Sequence, residues 1–472
     1  MGECTDAHQL KEKLVQLRCH FTWELVVEDS AVPDLEKRIW EEIEFLDTKY
    51  NVGIHNLLAY VKHLQGRNEE ALQSLKEAED LIQKEHADLS DIGSLVTWGN
   101  YAWLYYHMGR LEEAQTYLDK VENTCQKFAS MFCYRMECPE MDCAEGWALL
   151  KCGRQNYEQA RYCFAKALKV EPENPEFNTG YAIALYRLDS DHNAISLNPL
   201  QQAVRLNPSD TYIKVLLALK LQDVKREDEG EIYIEEALST STSLVYILRY
   251  AGKFYRRKGC MQRALQLLER ALQESPTSAF VHHQIGLCYR AQVLQINNAT
   301  RTQPRGQERE KLENMIGLAI FHFKSALEQK HPFEVVFLHL AHMYVAAKNY
   351  RKAEHSFQEF LLTKPQEKNI LQDGHFYYAR FLEFQKKSEV DAIRHYLKAI
   401  EVKYISPVRE KSIFSLEKLA LRRLRRNEVD LEGLSLLGLV YKLKGKIHEA
   451  LEYYEQALSL AAASNKAVKY IE

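Results

Sequence analysis

Cations and aromatic rings recur at helical spacing in the middle of the chain. Arg249, Lys253 and Arg256 are separated by four and three residues, so a helix would carry them on one face. Arginine matches phosphate oxygens with two parallel hydrogen bonds. Trp147 and Tyr212 offer flat rings for bases, at ~1–3 kcal/mol for each stacked base. These residue types, if they share one surface, favour a ligand that carries both phosphates and bases.

Repeated helix pairs are the elements that must position these side chains. The stretch 248–276 predicts two amphipathic helices joined by a turn at Gly259. Small residues at Gly252, Ala264 and Ala271 would let the two helices approach closely. This is the 34-residue tetratricopeptide pattern, in which a helix pair stacks on its neighbours because it cannot bury its apolar face alone.

Ten such pairs follow one another along the chain, with a polar insertion expected at 295–310 between the helices of the seventh. We therefore predict an all-α protein, a tetratricopeptide-repeat superhelix (α-solenoid) with a closed, positively charged central cavity. Three regions are expected: an N-terminal superhelix with the binding pocket over 1–238, a central pivot over 239–330 and a C-terminal arm over 331–472.

The composition restricts the kind of ligand site. The net charge of the 472 residues is −4, so any site for an anion must be local. No signal peptide and no membrane-spanning run is expected. The ten cysteines are expected to be reduced thiols, since Cys133, Cys138 and Cys143 lack the C-x-x-C spacing of zinc sites. We expect no metal and no cofactor.

The repeat register predicts which side chains line the concave face, because the first helix of each pair faces inward. Over repeats three to seven these side chains are mostly cationic or aromatic: Trp147, Leu150, Lys151, Thr179, Ile183, Tyr186, Arg187, Tyr212, Arg249, Lys253, Arg256, Arg257, His283 and Arg290. A walled groove of this kind suits a single strand or a chain end better than a duplex.

Other interpretations remain open. The groove could bind extended peptides, as in protein–protein adaptors, with little salt-dependent affinity for RNA. Trp147 could belong to the core, and the cations could form a solvated face. The basic run 422–426 could be a solvated face or a second phosphate contact. An enzyme is not expected, since no metal triad, glycine-rich phosphate loop or activated nucleophile is evident.

Several longer motifs resemble a known family. CHFTWEL, LLAYVKHLQG, LVTWGNYAW, CAEGWALLKCG, NPEFNTGYAI and KFYRRKG are similar to segments of the interferon-induced proteins with tetratricopeptide repeats, above all of the first paralogue. The resemblance implies a cytoplasmic antiviral effector that holds the 5′ end of foreign single-stranded RNA. That end would be triphosphorylated or capped without ribose 2′-O-methylation. The implied partners are family paralogues and the translation initiation machinery, which it would block.

The resemblance also implies roles for individual residues. Trp147 would stack on the cap guanine beside Ile183, Leu46, Thr48 and Asp210. The phosphates and first nucleotides would contact Arg38, Glu42, Lys151, Arg187, Arg249, His283 and Gln284. Arg187 and Tyr157 would crowd the first ribose and reject a 2′-O-methyl group. Tyr212, Tyr250, Lys253 and Arg256 would line the path of the strand. Tyr454 and Leu458 match a family dimerisation motif and imply a homodimer through the last repeat.

Three departures from the family pattern bear on the type of 5′ end. Position 42 is Glu42, where similar members have glutamine, and a carboxylate there would repel a triphosphate unless Arg38 pairs with it. Position 210 is Asp210 in place of asparagine. The loop Ser190–Ser196 is also shorter. The balance between cap and triphosphate is therefore left open.

Overall fold

The computed structural model describes residues 2–45, 51–85, 90–189, 194–240, 244–299, 305–330, 333–365 and 367–464. Leu46 and Thr48, which the resemblance assigns to the cap pocket, lie outside these described residues. The described residues contain 23 α-helices and no strand. This content confirms the predicted all-α class.

The chain forms two compact units, Met1–Ser275 and Pro276–Glu472. The first unit contains α1 (Gly2–Leu14), α2 (Val32–Phe45), α3 (Asn51–Leu64), α4 (Asn68–Glu85), α5 (Ser90–His107), α6 (Leu111–Lys127), α7 (Pro139–Cys152), α8 (Tyr157–Val170), α9 (Pro175–Leu188), α10 (Leu197–Leu206), α11 (Thr211–Asp223), α12 (Glu227–Thr240), α13 (Leu244–Lys258) and α14 (Met261–Glu274). The second contains α15 (Ala279–Ala299), α16 (Gln307–Gln329), α17 (Glu334–Ala346), α18 (Tyr350–Leu362), α19 (Lys368–Phe381), α20 (Glu389–Glu401), α21 (Pro407–Arg426), α22 (Leu431–Leu443) and α23 (Ile447–Ser464). The division into three regions and the closed central cavity stay predictions.

Consecutive helices pack as pairs, from α3 with α4 to α19 with α20, and α22 with α23. Helix α21 is an additional element that packs between α20 and α22. Small residues make the close contacts possible. A Cβ atom on Gly252 would lie 2.5 Å from Leu268 Cγ, and one on Gly180 would lie 2.2 Å from Phe164 Cε1. The predicted tetratricopeptide solenoid is confirmed within each unit.

The turn of the sixth pair has the predicted form. Helix α13 ends at Lys258, and Gly259 follows with a φ of +89°, in the left-handed region that glycine adopts without steric cost. The fifth pair places Lys225 at the corresponding turn, with a φ of +62°. A left-handed residue therefore ends the first helix of both pairs.

The expected insertion at 295–310 is largely helical. Helix α15 continues to Ala299, and α16 already begins at Gln307, after Gly306. The prediction of an insertion between the two helices over 295–310 was therefore wrong for 295–299 and 307–310, which belong to the helices themselves. For 307–310 the reason is local, because Gln, Glu and Arg are good helix formers and directly follow Gly306.

The described helices contain none that is both long enough and apolar enough to cross a membrane.

Candidate nucleic-acid interface

Helices α7, α9, α11 and α13 are the first helices of four successive pairs and pack beside one another in the first unit. Their starts are fixed by local caps. Asn174 Oδ1 accepts the backbone N–H groups of Glu176 and Phe177 at 3.0 and 3.3 Å, which sets the first turn of α9. Helix α2 packs against α13 and reaches the same region. Five helices thus bring the predicted groove residues of this unit together.

Two arginines and three tyrosines form the centre of this region. Arg187 Nη2 donates to the Tyr212 hydroxyl at 3.1 Å. The guanidinium carbon of Arg249 lies 3.8 Å from the centre of the Tyr246 ring and 5.0 Å from that of Tyr250. The rings of Tyr212 and Tyr250 are 5.8 Å apart. We call these residues the arginine–tyrosine cluster.

The arginines of the cluster act on the ionisation of the neighbouring phenols. Burial alone would raise the pKa of Tyr250, but Arg249, Arg187 and Lys253 act against it and lower the pKa to about 7. Proximity of the Tyr212 phenol raises the pKa of Arg187, so this guanidinium stays charged. The hydrogen-bond acceptor of Arg187 is a neutral phenol, which does not cancel its charge. The region can therefore attract an anion.

Arg187 faces a concave surface. Its side chain is exposed to solvent, yet phenols from α8, α9, α11 and α13 act on its charge: those of Tyr157, Tyr186, Tyr212 and Tyr250. Arg187 is thus accessible to solvent and lies near phenols of its own helix and of three others, as expected for a concave surface. This agrees with the inward position predicted from the repeat register.

Lys151 has a carboxylate partner, since its Nζ forms an ion pair with Glu42 Oε2 of α2. The sequence suggested Arg38 as the partner of Glu42, but Arg38 Nε pairs with Asp34 Oδ2 at 3.2 Å. The reason is geometric, because Asp34 and Arg38 lie one helical turn apart on α2, whereas Glu42 reaches across to α7. The pair joins two predicted phosphate-binding residues to each other.

Trp147 lies at the margin of the apolar core. Its ring is half-buried and meets Phe164 edge to face, with centroids 5.3 Å apart. Its Nε1–H donates to Glu176 Oε1 at 3.2 Å. Ile183 belongs to the same apolar cluster and is 5% exposed. Trp147 thus contributes to packing, and its stacking on a cap stays a prediction.

Asp210 has a structural role as the N-cap of α11. Its Oδ1 accepts the backbone N–H groups of Tyr212 and Ile213 at 2.9 and 3.1 Å. Burial raises the pKa of Asp210, although these two hydrogen bonds favour the carboxylate. An asparagine could cap the helix equally well, so the substitution preserves the local backbone.

Asp189, the last described residue before the short loop Ser190–Ser196, forms a buried ion pair. Asp189 Oδ2 accepts Ser196 Oγ at 2.8 Å and pairs with Lys220 Nζ at 2.9 Å. Residues 190–193 of this loop lie outside the described part of the chain. The contact fixes the start of α10 beside α11.

The other cations of α13 differ in their surroundings. Lys253 and Arg256 are half-buried, and the charge of Lys253 acts on Tyr250. Arg257, also predicted to face the groove, forms an ion pair with Asp223. We therefore keep Lys253 and Arg256 as candidate ligand contacts and assign Arg257 to packing between α11 and α13.

His283 and Gln284 belong to the second unit. His283 Nε2 lies 3.1 Å from His339 Nδ1, and the His283 ring meets Phe333 at a centroid distance of 4.9 Å. Gln284 is buried. The structure places both residues on α15, near α17, and their predicted contact with RNA stays untested.

The basic run of α21 is engaged in ion pairs. Arg422 pairs with Glu383 at 3.2 Å, and Arg423 pairs with Glu389 at 3.0 Å and Glu432 at 2.7 Å. Acidic side chains of neighbouring helices therefore offset this positive charge. The pairs favour a structural role over a second phosphate contact.

Tyr454 and Leu458 have different environments on α23. Tyr454 is buried, and a Cβ on Gly438 would lie 2.4 Å from its Cε1 atom, so its ring packs against α22. Leu458 is 49% exposed, and Leu451, one heptad earlier, is 53% exposed. Leu451 and Leu458, unlike Tyr454, therefore present apolar surface to solvent.

Sequence reasoning missed Tyr246 and Glu41. Tyr246 lies under the Arg249 guanidinium, and Arg249 acts on the Glu41 carboxyl. Tyr246 precedes Arg249 by three residues and Tyr250 by four, and this helical spacing could have identified Tyr246 as a neighbour of both. Local spacing could not have identified Glu41, because it lies on α2, far along the chain from Arg249 on α13.

Among the described residues, no group of three or more His, Cys, Asp or Glu side chains could hold a metal ion.

The fold and the cationic, aromatic groove define a ligand-binding tetratricopeptide-repeat protein. Models described as tetratricopeptide repeat match residues 52–127, 144–211 and 431–464. The chain is 64% identical to the antiviral innate immune response effector IFIT1 of Homo sapiens over 470 residues, 98% of each chain. It is 44% identical to the human interferon-induced protein with tetratricopeptide repeats 2, over 96% of each chain. The chain therefore belongs to the interferon-induced proteins with tetratricopeptide repeats.

Solved structures of relatives show the same fold. An IFIT1 monomeric mutant with Gppp-AAAA has a TM-score of 0.92 and 64% identity, over 96% of this chain and 100% of that chain. The human IFIT1 dimer with PPP-AAAA has a TM-score of 0.86 and 62% identity over the same shares. IFIT1 has thus been solved with a capped and with a triphosphorylated RNA end.

Proposed function

We propose that this chain is an interferon-induced antiviral effector that binds the 5′ end of single-stranded RNA. The ends it would accept are a triphosphate and a cap that lacks ribose 2′-O-methylation. Acting in the cytoplasm, it would withhold such RNA from the translation initiation machinery. Its role is binding and not catalysis.

The arginine–tyrosine cluster is the observation that carries this proposal. Arg187 donates a hydrogen bond to the Tyr212 hydroxyl, and the Arg249 guanidinium lies against the Tyr246 and Tyr250 rings, so two cations lie among phenol rings. Phosphate oxygens and bases are the partners that such a surface fits. Relatives with 64% and 62% identity, solved with Gppp-AAAA and PPP-AAAA, support the same ligand class.

We further propose a division of labour within the groove. Arg187, Arg249, Lys253 and Arg256 would contact phosphates, and Tyr212 and Tyr250 would line the strand. Trp147 with Ile183 would hold the cap base, since Trp147 lies one helical turn from Lys151 on α7. Tyr157 and Arg187 would crowd the first ribose and disfavour a 2′-O-methyl group.

The test is a titration of one RNA sequence with four 5′ ends: triphosphate, Gppp, Gppp with 2′-O-methyl on the first nucleotide, and hydroxyl. Arg187→Ala should weaken binding of triphosphate and Gppp ends by ~1–3 kcal/mol, because a charge-assisted contact is lost. Trp147→Ala should weaken only the Gppp end, by ~1–3 kcal/mol of stacking. Affinity should fall with salt in every case.

Arg226→Ala is the matched control, since this exposed arginine pairs with Glu229 within α12 and its flanking turn, and should leave binding unchanged. Salt-insensitive binding, or equal affinities for wild type and Arg187→Ala, would contradict the proposal. Preferential binding of an acidic peptide in the same assay would instead support a protein–protein adaptor.

A further inference from the structure

The ion pair between Glu42 and Lys151 joins two helices at the edge of the groove. Glu42 Oε2 of α2 contacts Lys151 Nζ of α7, and the side chains are 18% and 26% exposed. A pair that is mostly withdrawn from water is screened less by salt than a surface pair. The carboxylate thus holds the cation that lies one turn from Trp147.

Helix α2 brings a second carboxylate to the same region. Burial raises the pKa of Glu41, while the charge of Arg249 acts in the opposite direction. Burial also raises the pKa of Tyr246, and Glu42 and Glu41 both contribute to this rise. The acidic face of α2 therefore lies beside the arginine–tyrosine cluster, where an RNA phosphate would otherwise be the nearest anion.

We infer that Glu42 is a specificity-determining residue that occupies Lys151 as an internal counter-ion and disfavours 5′ ends of higher negative charge. This inference rests on the proposed function and deepens it. A 5′ end gains the Lys151 contact only when its phosphate displaces the Glu42 carboxylate. The displaced carboxylate stays nearby and repels the incoming phosphate.

The two proposed ligands differ in the charge that Glu42 opposes. The terminal phosphate of a free triphosphate undergoes a second ionisation near pH 6, whereas every phosphate of a cap bridge is linked on both sides by ester or anhydride bonds and ionises only once. The free triphosphate therefore carries the larger negative charge at neutral pH. Glu42 should weaken its binding more than that of the cap and so shift the preference of this chain toward capped ends.

The test compares triphosphate and Gppp RNA of one sequence, titrated against wild type, Glu42→Gln, Lys151→Met and the double variant. Glu42→Gln should tighten triphosphate RNA by about tenfold and Gppp RNA by about threefold, because repulsion is removed and Lys151 is released. Lys151→Met should cost little in the wild-type background. In the Glu42→Gln background it should abolish most of the gain.

Salt dependence supplies a readout that a structural role would not change. When Lys151 becomes a phosphate contact in Glu42→Gln, the slope of log affinity against log salt should steepen by about 0.7 for the single strand. Glu42→Asp keeps the charge and should keep the wild-type preference. Glu36→Gln is the control on the same helix, since its carboxylate pairs with Arg67 at 2.9 Å.

The outcomes separate this inference from the proposed function. Two results would overturn the inference alone. In the first, the ratio of triphosphate to Gppp affinity in Glu42→Gln stays within twofold of the wild-type ratio. In the second, Lys151→Met weakens binding equally in the wild-type and Glu42→Gln backgrounds. The proposed function fails only if wild type binds neither RNA or if Arg187→Ala has no effect. The double variant removes both charges together, so it controls for a charge left buried without its partner.

Discussion

Tyr250 makes the groove sensitive to pH. Its pKa is about 7, since Arg249, Arg187 and Lys253 outweigh the effect of burial, so the phenolate forms as pH rises through 7. A phenolate adds a negative charge beside the two arginines and competes with RNA phosphate. Binding of triphosphate RNA should therefore weaken from pH 6 to pH 9 in wild type.

The measurement is the dissociation constant at constant ionic strength across this range, for wild type and Tyr250→Phe. The variant lacks the ionisable group and should show the flatter profile. Tyr162→Phe, at an exposed tyrosine of α8, is the control and should follow wild type. Parallel profiles for wild type and Tyr250→Phe would show that Tyr250 does not titrate near the ligand.

The repeat register assigns Arg187 and Arg249 to the inward face because helical periodicity alone decides which face a side chain occupies. It did not predict the partner of Lys151, since Glu42 is 109 residues away along the chain. Which carboxylate reaches a given cation depends on packing between non-consecutive helices, and this is not encoded in local spacing. Arg257 shows the same limit, as its pair with Asp223 also joins two pairs.

At the scale of the helix pair, contact between glycine and a ring sets how closely two helices approach. A Cβ on Gly180 would lie 2.2 Å from Phe164 Cε1, in the interior of the first unit. Gly180→Ala should therefore destabilise the protein by ~1–3 kcal/mol through overpacking. Denaturant unfolding of the full chain, followed by far-UV circular dichroism, measures this loss.

Gly53→Ala is the matched control because it also changes a helical glycine, in α3, but nothing lies within 4 Å of the added methyl group. This substitution should be neutral or stabilising by up to ~1 kcal/mol, as alanine is the better helix former. If both variants unfold at the same denaturant concentration, the interior around Gly180 can expand without cost, contrary to our expectation.

Helix existence was predictable from sequence, but helix ends were less so. The turn after α13 was identified correctly, because a glycine follows a run of amphipathic residues. The helix ends of the seventh pair were misplaced, since its polar residues were assigned to an insertion between the two helices. Residues 307–310 are polar and yet helical, because solvent-exposed helix positions tolerate charged residues with good propensity.

At the scale of the whole molecule, α23 carries the surface that we expect to mediate self-association. Leu451 and Leu458 are exposed and seven residues apart, so they lie on one face of the helix. A relative was solved as a monomeric mutant that carries two leucine-to-glutamate substitutions, also seven residues apart. We expect this chain to dimerise, and Leu451→Glu with Leu458→Glu should yield a monomer in sedimentation velocity at micromolar concentration.

Tyr454 should not be used for this purpose, since its buried ring packs over Gly438 and a charge there would disturb the repeat itself. Leu362→Glu, at another exposed leucine, is the control and should leave the sedimentation coefficient unchanged. An unchanged coefficient in the double leucine variant would exclude α23 as the association surface.

The sequence was sufficient to predict the solenoid because each repeat contacts mainly its neighbours, so local periodicity decides the architecture. It was not sufficient to place the boundary between Met1–Ser275 and Pro276–Glu472. Helix pairs continue across that point with the same pattern, and the sequence shows no linker rich in proline or glycine there. Where the chain divides depends on the sum of many small contacts.

The contact of a ring with a glycine has a consequence for how such proteins can evolve. It recurs at Gly286 with Phe323, Gly374 with Phe360 and Gly438 with Tyr454. Each contact restricts the residue type at the glycine position, because a larger side chain would overlap the ring. The ligand-facing positions of the same helix are not restricted in this way. Natural selection by changing viral RNA ends can therefore replace groove residues such as Glu42 or Arg187 without altering the scaffold that presents them.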